Sequence, residues 1–421
     1  MKSPRGRVAA DRKSARARAI RPAPEVRARR GKKIATPEKS AQAYETVALV
    51  LQGGGALGAY QCGVYEALHG VGIRPGWFAG TSIGAINAAL LAGNAPEQRI
   101  ERLHEFWNTI CEPAGAFAWQ ASALRDALAW LPPNGAWSAW ISTLSAFGAL
   151  AQGQRGFFSA RPVPPFGQPP GSAGATSFYD TAPLRTTLER LVDFDRINAG
   201  DVRLTVGATN VRNGNFRYFD STKERIRPEH IMASGALPPA FPAIDIDGEH
   251  YWDGGLVSNT PLEVLLEAEP RRDTLVFQVD LWSARGIVPK TLLDVLERQK
   301  DIQYSSRTRL GTDMVAARQR LRNALGLLME QVPKKYLPPE LVEDLKPWMC
   351  DRVFNIIHLI YRAKPYEEQF KDYAFGAGAM REHWSGGFDD MTRTLAVPDY
   401  FVPPPREIGV TTHDIHRRDE K

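Results

Sequence analysis

Ser82 lies within Gly80-Thr81-Ser82-Ile83-Gly84, between a short apolar run, Trp77 to Ala79, and an Ala/Leu-rich stretch from Ile83 to Leu91. A G-x-S-x-G segment between strand and helix can carry nucleophilic chemistry. The small flanking residues let the chain bend sharply and lift the hydroxyl clear of a sheet. The following helix directs its positive end at the oxygen during attack. Ordinary strand-to-helix turns share the pattern, so the nucleophile reading needs an oxyanion site and a base.

An anion site is offered upstream. Thr46 to Leu51 is an apolar strand pattern, followed by Gln52, by Gly53-Gly54-Gly55-Ala56-Leu57-Gly58, and by a helix expected from about Ala59 to His69. Glycines at such a junction expose bare N–H groups to a phosphate or to an oxyanion. Gly53, Gly55 and Gly58 match G-x-G-x-x-G, but the dinucleotide reading needs an acid at the end of the second strand. That strand ends Trp77-Phe78-Ala79-Gly80-Thr81-Ser82, without a carboxylate, and no Gly-Lys-Ser/Thr closes the loop. An oxyanion hole is the better assignment.

For the base, Tyr251-Trp252-Asp253-Gly254-Gly255-Leu256 leaves two readings. Asp-Gly-Gly is a common turn between strands. An aspartate within hydrogen-bond reach of a serine in a partly desolvated site can also accept its proton.

The glycine loop, the serine pentapeptide about 25 residues on, and Asp253-Gly254-Gly255 follow in order, with Ala233 to Pro242 before the last and Asn259-Thr260-Pro261 after it. Over roughly residues 45 to 285 this resembles the patatin-like phospholipase family. The resemblance implies a three-layer α/β/α fold with a mostly parallel central sheet and a serine–aspartate dyad without histidine, metal or cofactor. Carried over, Ser82 is the nucleophile in an elbow formed with Gly80, Thr81, Ile83 and Gly84. Asp253 is the base, in a motif with Gly254 and Gly255. The oxyanion hole falls in the segment bearing Gly53, Gly54, Gly55 and Gly58, with the N–H groups of Gly54 and Gly55 as donors. Many members carry an acid where Gln52 stands and a cation where Leu57 stands. Backbone donors are unaffected, but a cation for a headgroup is missing.

Three segments are expected: a basic arm (1–44), the catalytic domain (45–285) with an aromatic cap insertion at about 112–178, and a mainly helical C-terminal extension (286–421). Residues 1–40 hold 14 Lys/Arg and three acids. Against the whole-chain formal charge of +6, this arm at +11 leaves residues 41–421 at −5. With few large apolar residues the arm is expected to be disordered. It is either a solubilising tail or an electrostatic anchor for anionic lipid. No aromatic interleaves its arginines, which argues against nucleic acid. It also lacks the apolar core of a secretory signal, so the expected location is cytoplasmic, with peripheral attachment to a membrane surface.

The stretch Ala127–Gln154 has no Lys, Arg, Asp or Glu and includes Trp130, Trp137 and Trp140. Pro132 and Pro133 interrupt it, so it falls short of the roughly 20 apolar residues of a bilayer span. It reads either as a packed cap or as a lipid-contacting lid. Three scattered cysteines and dispersed histidines give no metal motif, and His413 and His416 are expected to be exposed in a polar tail. Asp280 reads as a turn or capping residue, with a second acid near the site as the alternative. The expected activity is hydrolysis of carboxylic esters in phospholipids or lysophospholipids through an acyl-enzyme. The alternatives are a soluble-ester or polyester hydrolase, and a catalytically silent protein of the membrane surface.

Overall fold

Uninterrupted apolar runs form strands buried on both faces, and they build the centre of the sheet in the computed structural model, which describes residues 36–112, 153–363 and 371–418. In chain order the strands are β1 (Thr46–Leu51), β2 (Trp77–Thr81), β3 (Gly153–Gln154), β4 (Phe158–Ala160), β5 (Tyr179–Asp180) and β6 (Arg203–Asn210). There follow β7 (Phe216–Asp220), β8 (Ile244–Ile246), β9 (Glu249–Asp253), β10 (Thr274–Asp280), β11 (Phe354–Ile360) and β12 (Val410–His413). Nine of them make one sheet of order β12-β11-β10-β1-β2-β6-β9-β8, with β7 also on β6. From β12 to β6 along this order every pairing is parallel, whereas β7 and β9 run antiparallel to β6. Strands β3, β4 and β5 form a small separate sheet.

Alternation along the strands separates the two faces. Leu49, Leu51, Phe78, Leu275 and Phe277 join one core, packed with residues of the helices Ala59–Gly70, Ile83–Ala92, Arg99–Cys111 and Ala377–Leu395. Ala48, Val50, Trp77, Ala79 and Val276 join the other, with Leu262, Leu265 and Val315. This is the three-layer α/β/α arrangement expected from the sequence.

The C-terminal segment is helical, and it also completes the sheet. β11 and β12 extend it beyond β10, and the long helix Leu292–Gln331 lays Val315 on the second core. That helix starts on a capping box: Thr291 Oγ1 accepts the Asp294 N–H at 3.1 Å and the Asp294 carboxylate accepts the Thr291 N–H at 2.9 Å. β12 also draws in the histidines expected to be exposed. His413 stacks on Tyr400 at 4.6 Å between ring centres, and His416 Nε2 is 3.2 Å from an Asp390 carboxylate oxygen.

Among the described residues no helix is long and apolar enough to cross a membrane. The basic arm up to residue 35 and the charge-free aromatic stretch up to residue 152 lie outside the described residues. Trp107, in the helix Arg99–Cys111 that precedes the aromatic insertion, is a core residue with no exposure, its indole N–H donating to Asn87 Oδ1 at 3.1 Å.

Candidate active site

β2 ends at Thr81, and the next residue starts the helix Ile83–Ala92. Between them Ser82 adopts φ 56° and ψ −126°, backbone that side-chain-bearing residues rarely enter. Its neighbours hold it there. The Ser82 N–H donates to Ser234 O (3.1 Å) and Ser234 Oγ (3.0 Å), while its carbonyl accepts from Ala85 and Ile86 in the first helical turn. The elbow is so tight that a Cβ on Gly80 would lie 2.2 Å from Gly84 O, and one on Gly84 2.2 Å from Leu51 O. Thr81 is buried in the strand, and Ile83 faces the pocket.

Asp253 reaches the same place from the far side of the sheet. It is the last residue of β9, paired with Ala208 of β6, and its N–H donates to Ala236 O at 2.9 Å. Ser82 and Asp253 line the same pocket, with the Ser82 hydroxyl near enough to the Asp253 carboxylate to favour its ionised form, and the Gly255 N–H donates to Asp253 Oδ1 at 2.7 Å. Burial pushes the carboxyl pKa up to about 7, with the Ser82 hydroxyl and the Gly255 N–H pulling the other way. Such a group is half ionised near neutrality. Gly254 backs onto Gly207 of β6.

The four glycines of the loop after β1 do different things. The Gly53 N–H is spent on Asn259 O at 3.2 Å, and its carbonyl accepts from Asn259 Nδ2 (3.0 Å) and Trp282 Nε1 (2.8 Å). Gly58 lies outside the pocket, its carbonyl accepting from Asn87 Nδ2 at 3.0 Å. Gly53 and Gly58 therefore shape the loop instead of offering donors to the pocket. The N–H groups of Gly54 and Gly55 meet no acceptor among the described residues, and both residues line the pocket with Ser82.

Gln52 has a role that the sequence did not reveal. Fully buried, it accepts the N–H groups of Leu281 (2.6 Å) and Trp282 (3.0 Å) through Oε1 and donates to Tyr304 O through Nε2 at 3.4 Å. A carboxylate there could not supply that last bond.

The pocket encloses about 700 Å³ of empty space, including the solvent at its mouth. Its walls are mostly apolar. Phe157 and Phe158, from the described part of the cap insertion, interlock with Phe241 and Phe375, ring centres 5.2 to 5.9 Å apart. Ile83, Ile86 and Leu237 complete this side, and no histidine lies among the described lining residues. Tyr304, Asp372, Tyr373 and Phe375 come from the C-terminal segment and carry no motif. Asp280 is not a second acid of the pocket. It is buried in β10, 2.5 Å from His358 Nε2 and hydrogen-bonded by Gln278 and Thr260.

Comparison with known proteins matches residues 49–266 to the family model described as patatin-like phospholipase, and residues 302–407 to one described as patatin phospholipase. No curated protein sequence matches the chain. Among solved structures, VipD from Legionella pneumophila is similar at 16% identity and a TM-score of 0.35, the match covering 84% of this chain and 67% of that one. Full-length ExoU in complex with full-length SpcU, from the type III secretion system of Pseudomonas aeruginosa, is similar at 18% identity and a TM-score of 0.22, covering 72% and 60%. The first model alone spans more than half of the chain, from the end of β1 past Asp253, and the second takes in much of the C-terminal segment that completes the sheet. The chain belongs to the patatin-like phospholipase family, a family of lipid hydrolases.

Proposed function

We propose that the protein is a phospholipase A or lysophospholipase that cleaves carboxylic esters of phospholipids or lysophospholipids by way of an acyl-enzyme on Ser82. The observation that carries this reading is the meeting of Ser82 and Asp253 in one pocket that also holds two uncommitted backbone donors. Ser82 Oγ attacks the ester carbonyl and its proton passes to the Asp253 carboxylate. The carbonyl oxygen becomes an oxyanion that accepts from the Gly54 and Gly55 N–H groups, each such donor being worth about 100- to 1000-fold in rate. Collapse expels the alcohol, which takes the proton from Asp253. Water, deprotonated by the same carboxylate, then attacks the acyl carbon and releases the fatty acid, and the proton returns to Ser82.

The phenylalanine-lined wall suits an acyl chain. The loop offers a headgroup no cation, since residues 52–58, Gln-Gly-Gly-Gly-Ala-Leu-Gly, are all uncharged. Attraction to the lipid surface falls instead to the arm, at +11 over residues 1–40. It contributes up to about 1 kcal/mol per basic residue close to anionic lipid, fading as salt shortens the screening length to roughly 3 Å at 1 M.

Fatty-acid release from defined vesicles tests the reading. The full chain is expected to release fatty acid from phosphatidylcholine or lysophosphatidylcholine. Removing residues 1–40 is expected to slow release from anionic vesicles at low salt only, with a short soluble ester hydrolysed as before. Turnover of the soluble ester without release from either lipid would favour a soluble-ester hydrolase. Unchanged vesicle activity in the truncated chain would make the arm a solubilising tail.

A further inference from the structure

The oxyanion loop is bounded on its outer side by the C-terminal segment. Gly55 has φ +56°, and a Cβ on it would lie 2.2 Å from the carbonyl oxygen of Asp372, so two backbones meet there directly. Asp372 belongs to the short turn Lys371–Tyr373, and both of its carboxylate oxygens are 2.9 Å from Lys300 Nζ. Lys371, only 5% exposed, is 2.9 Å from Glu297 and 2.9 Å from Asp301, and its ammonium lies 5.4 Å from the centre of the Trp282 ring. Trp282 in turn donates to Gly53 O at 2.8 Å.

The turn therefore bears on both ends of the loop, on Gly55 directly and on Gly53 through Trp282. Its anchors share one helix face. Glu297, Lys300, Asp301 and Tyr304 are spaced three and four apart on the long helix, and the Tyr304 carbonyl accepts from Gln52, the residue that opens the loop. Lys300 thus has its partner in the pocket wall. A buried ammonium persists only where carboxylates compensate it, and removing one partner leaves uncompensated charge that displaces the group. The proposed reaction uses neither lysine.

We infer that Lys371–Tyr373, fixed by the Lys371–Glu297/Asp301 and Lys300–Asp372 ion pairs, is a positioning element that aims the Gly54 and Gly55 N–H groups at the reacting carbonyl. The inference rests on the ester-hydrolase reading of the pocket. It makes the C-terminal segment part of the catalytic machinery, with Lys300 and Lys371 as positioning residues acting through the loop.

Lys300→Met and Lys371→Met test it on the full chain. Fluorophosphonate is run to completion to count competent sites, and kcat and KM for a soluble ester are expressed per titrated site. Because a misplacement of about 1 Å can cost about 100-fold, kcat per site is expected to fall by about 10- to 100-fold with KM changed less than about threefold. Lys300→Arg, which keeps the charge at the more exposed position, is expected to recover most of the rate. If Lys300→Met lowers only thermal stability or the number of titratable sites, with kcat per site within about twofold of wild type, the ion pairs are structural and the inference is overturned. Failure of the underlying reading would look different: the wild type itself would give no titratable serine.

Discussion

Ser82→Ala is expected to abolish ester hydrolysis, with kcat falling by at least about 10⁴-fold, since loss of the nucleophile in a serine hydrolase leaves only binding and oxyanion contributions. The fold should be untouched. The strained backbone at φ 56° is held by the Ser82 N–H on Ser234 and by the first helical turn, none of which involves the hydroxyl. What is lost is the hydroxyl beside Asp253, whose carboxylate keeps its bond from the Gly255 N–H. Thermal unfolding should therefore stay within a few degrees of wild type, a shift of the size that about 1 kcal/mol produces. A variant that is inactive because it has unfolded would say nothing of Ser82, so the melt and the assay belong together.

The second large effect is expected at Asp253. Asp253→Asn keeps the shape and removes the basicity, so kcat should fall by about 100-fold or more. In the wild type the ionised carboxylate is the active form, and kcat/KM should decline as pH falls through about 7, where burial has moved this group. The same shift has a stability sign. The folded-state value, about 7, is above the ordinary 3.8, so protonation favours the folded protein. That contribution is fully present below pH 3.8 and is lost as pH rises through about 7, where a buried charge must be held. Asparagine carries no such charge. Asp253→Asn should therefore melt higher than wild type at pH 8, and the difference should shrink towards pH 4. A flat wild-type pH profile, or a histidine substitution as damaging as Asp253→Asn, would point to another base.

Local signals made much of the site legible. Thr46–Leu51 is an apolar run with no polar interruption, and β1 has those same ends. The helix after the elbow and strand β10 also follow their sequence patterns closely, because burial on both faces leaves composition little freedom. Ser82, Asp253 and the glycine loop sit in short motifs whose spacing survives without knowledge of the fold.

What was hidden depends on chain brought from far away. Tyr304 and Asp372 reach the pocket only because β11 and the long helix return to the sheet, and neither has a distinctive neighbourhood in sequence. Gln52 looks like a neutral loss of an acid until the N–H groups of Leu281 and Trp282 are beside it. His413 and His416 look solvated because short polar tails usually are, yet the four-residue β12 is enough to bury His416 against Asp390. Propensity and charge describe a residue's own segment, whereas these roles are set by the partner segment.

The most direct measurement is mass spectrometry of the intact protein after reaction with a fluorophosphonate, followed by peptide mapping. The expected result is a single adduct per chain on the peptide bearing Ser82, formed by the wild type and absent from Ser82→Ala. An adduct on another residue, or full labelling of Ser82→Ala, would contradict the assignment of Ser82 as the nucleophile.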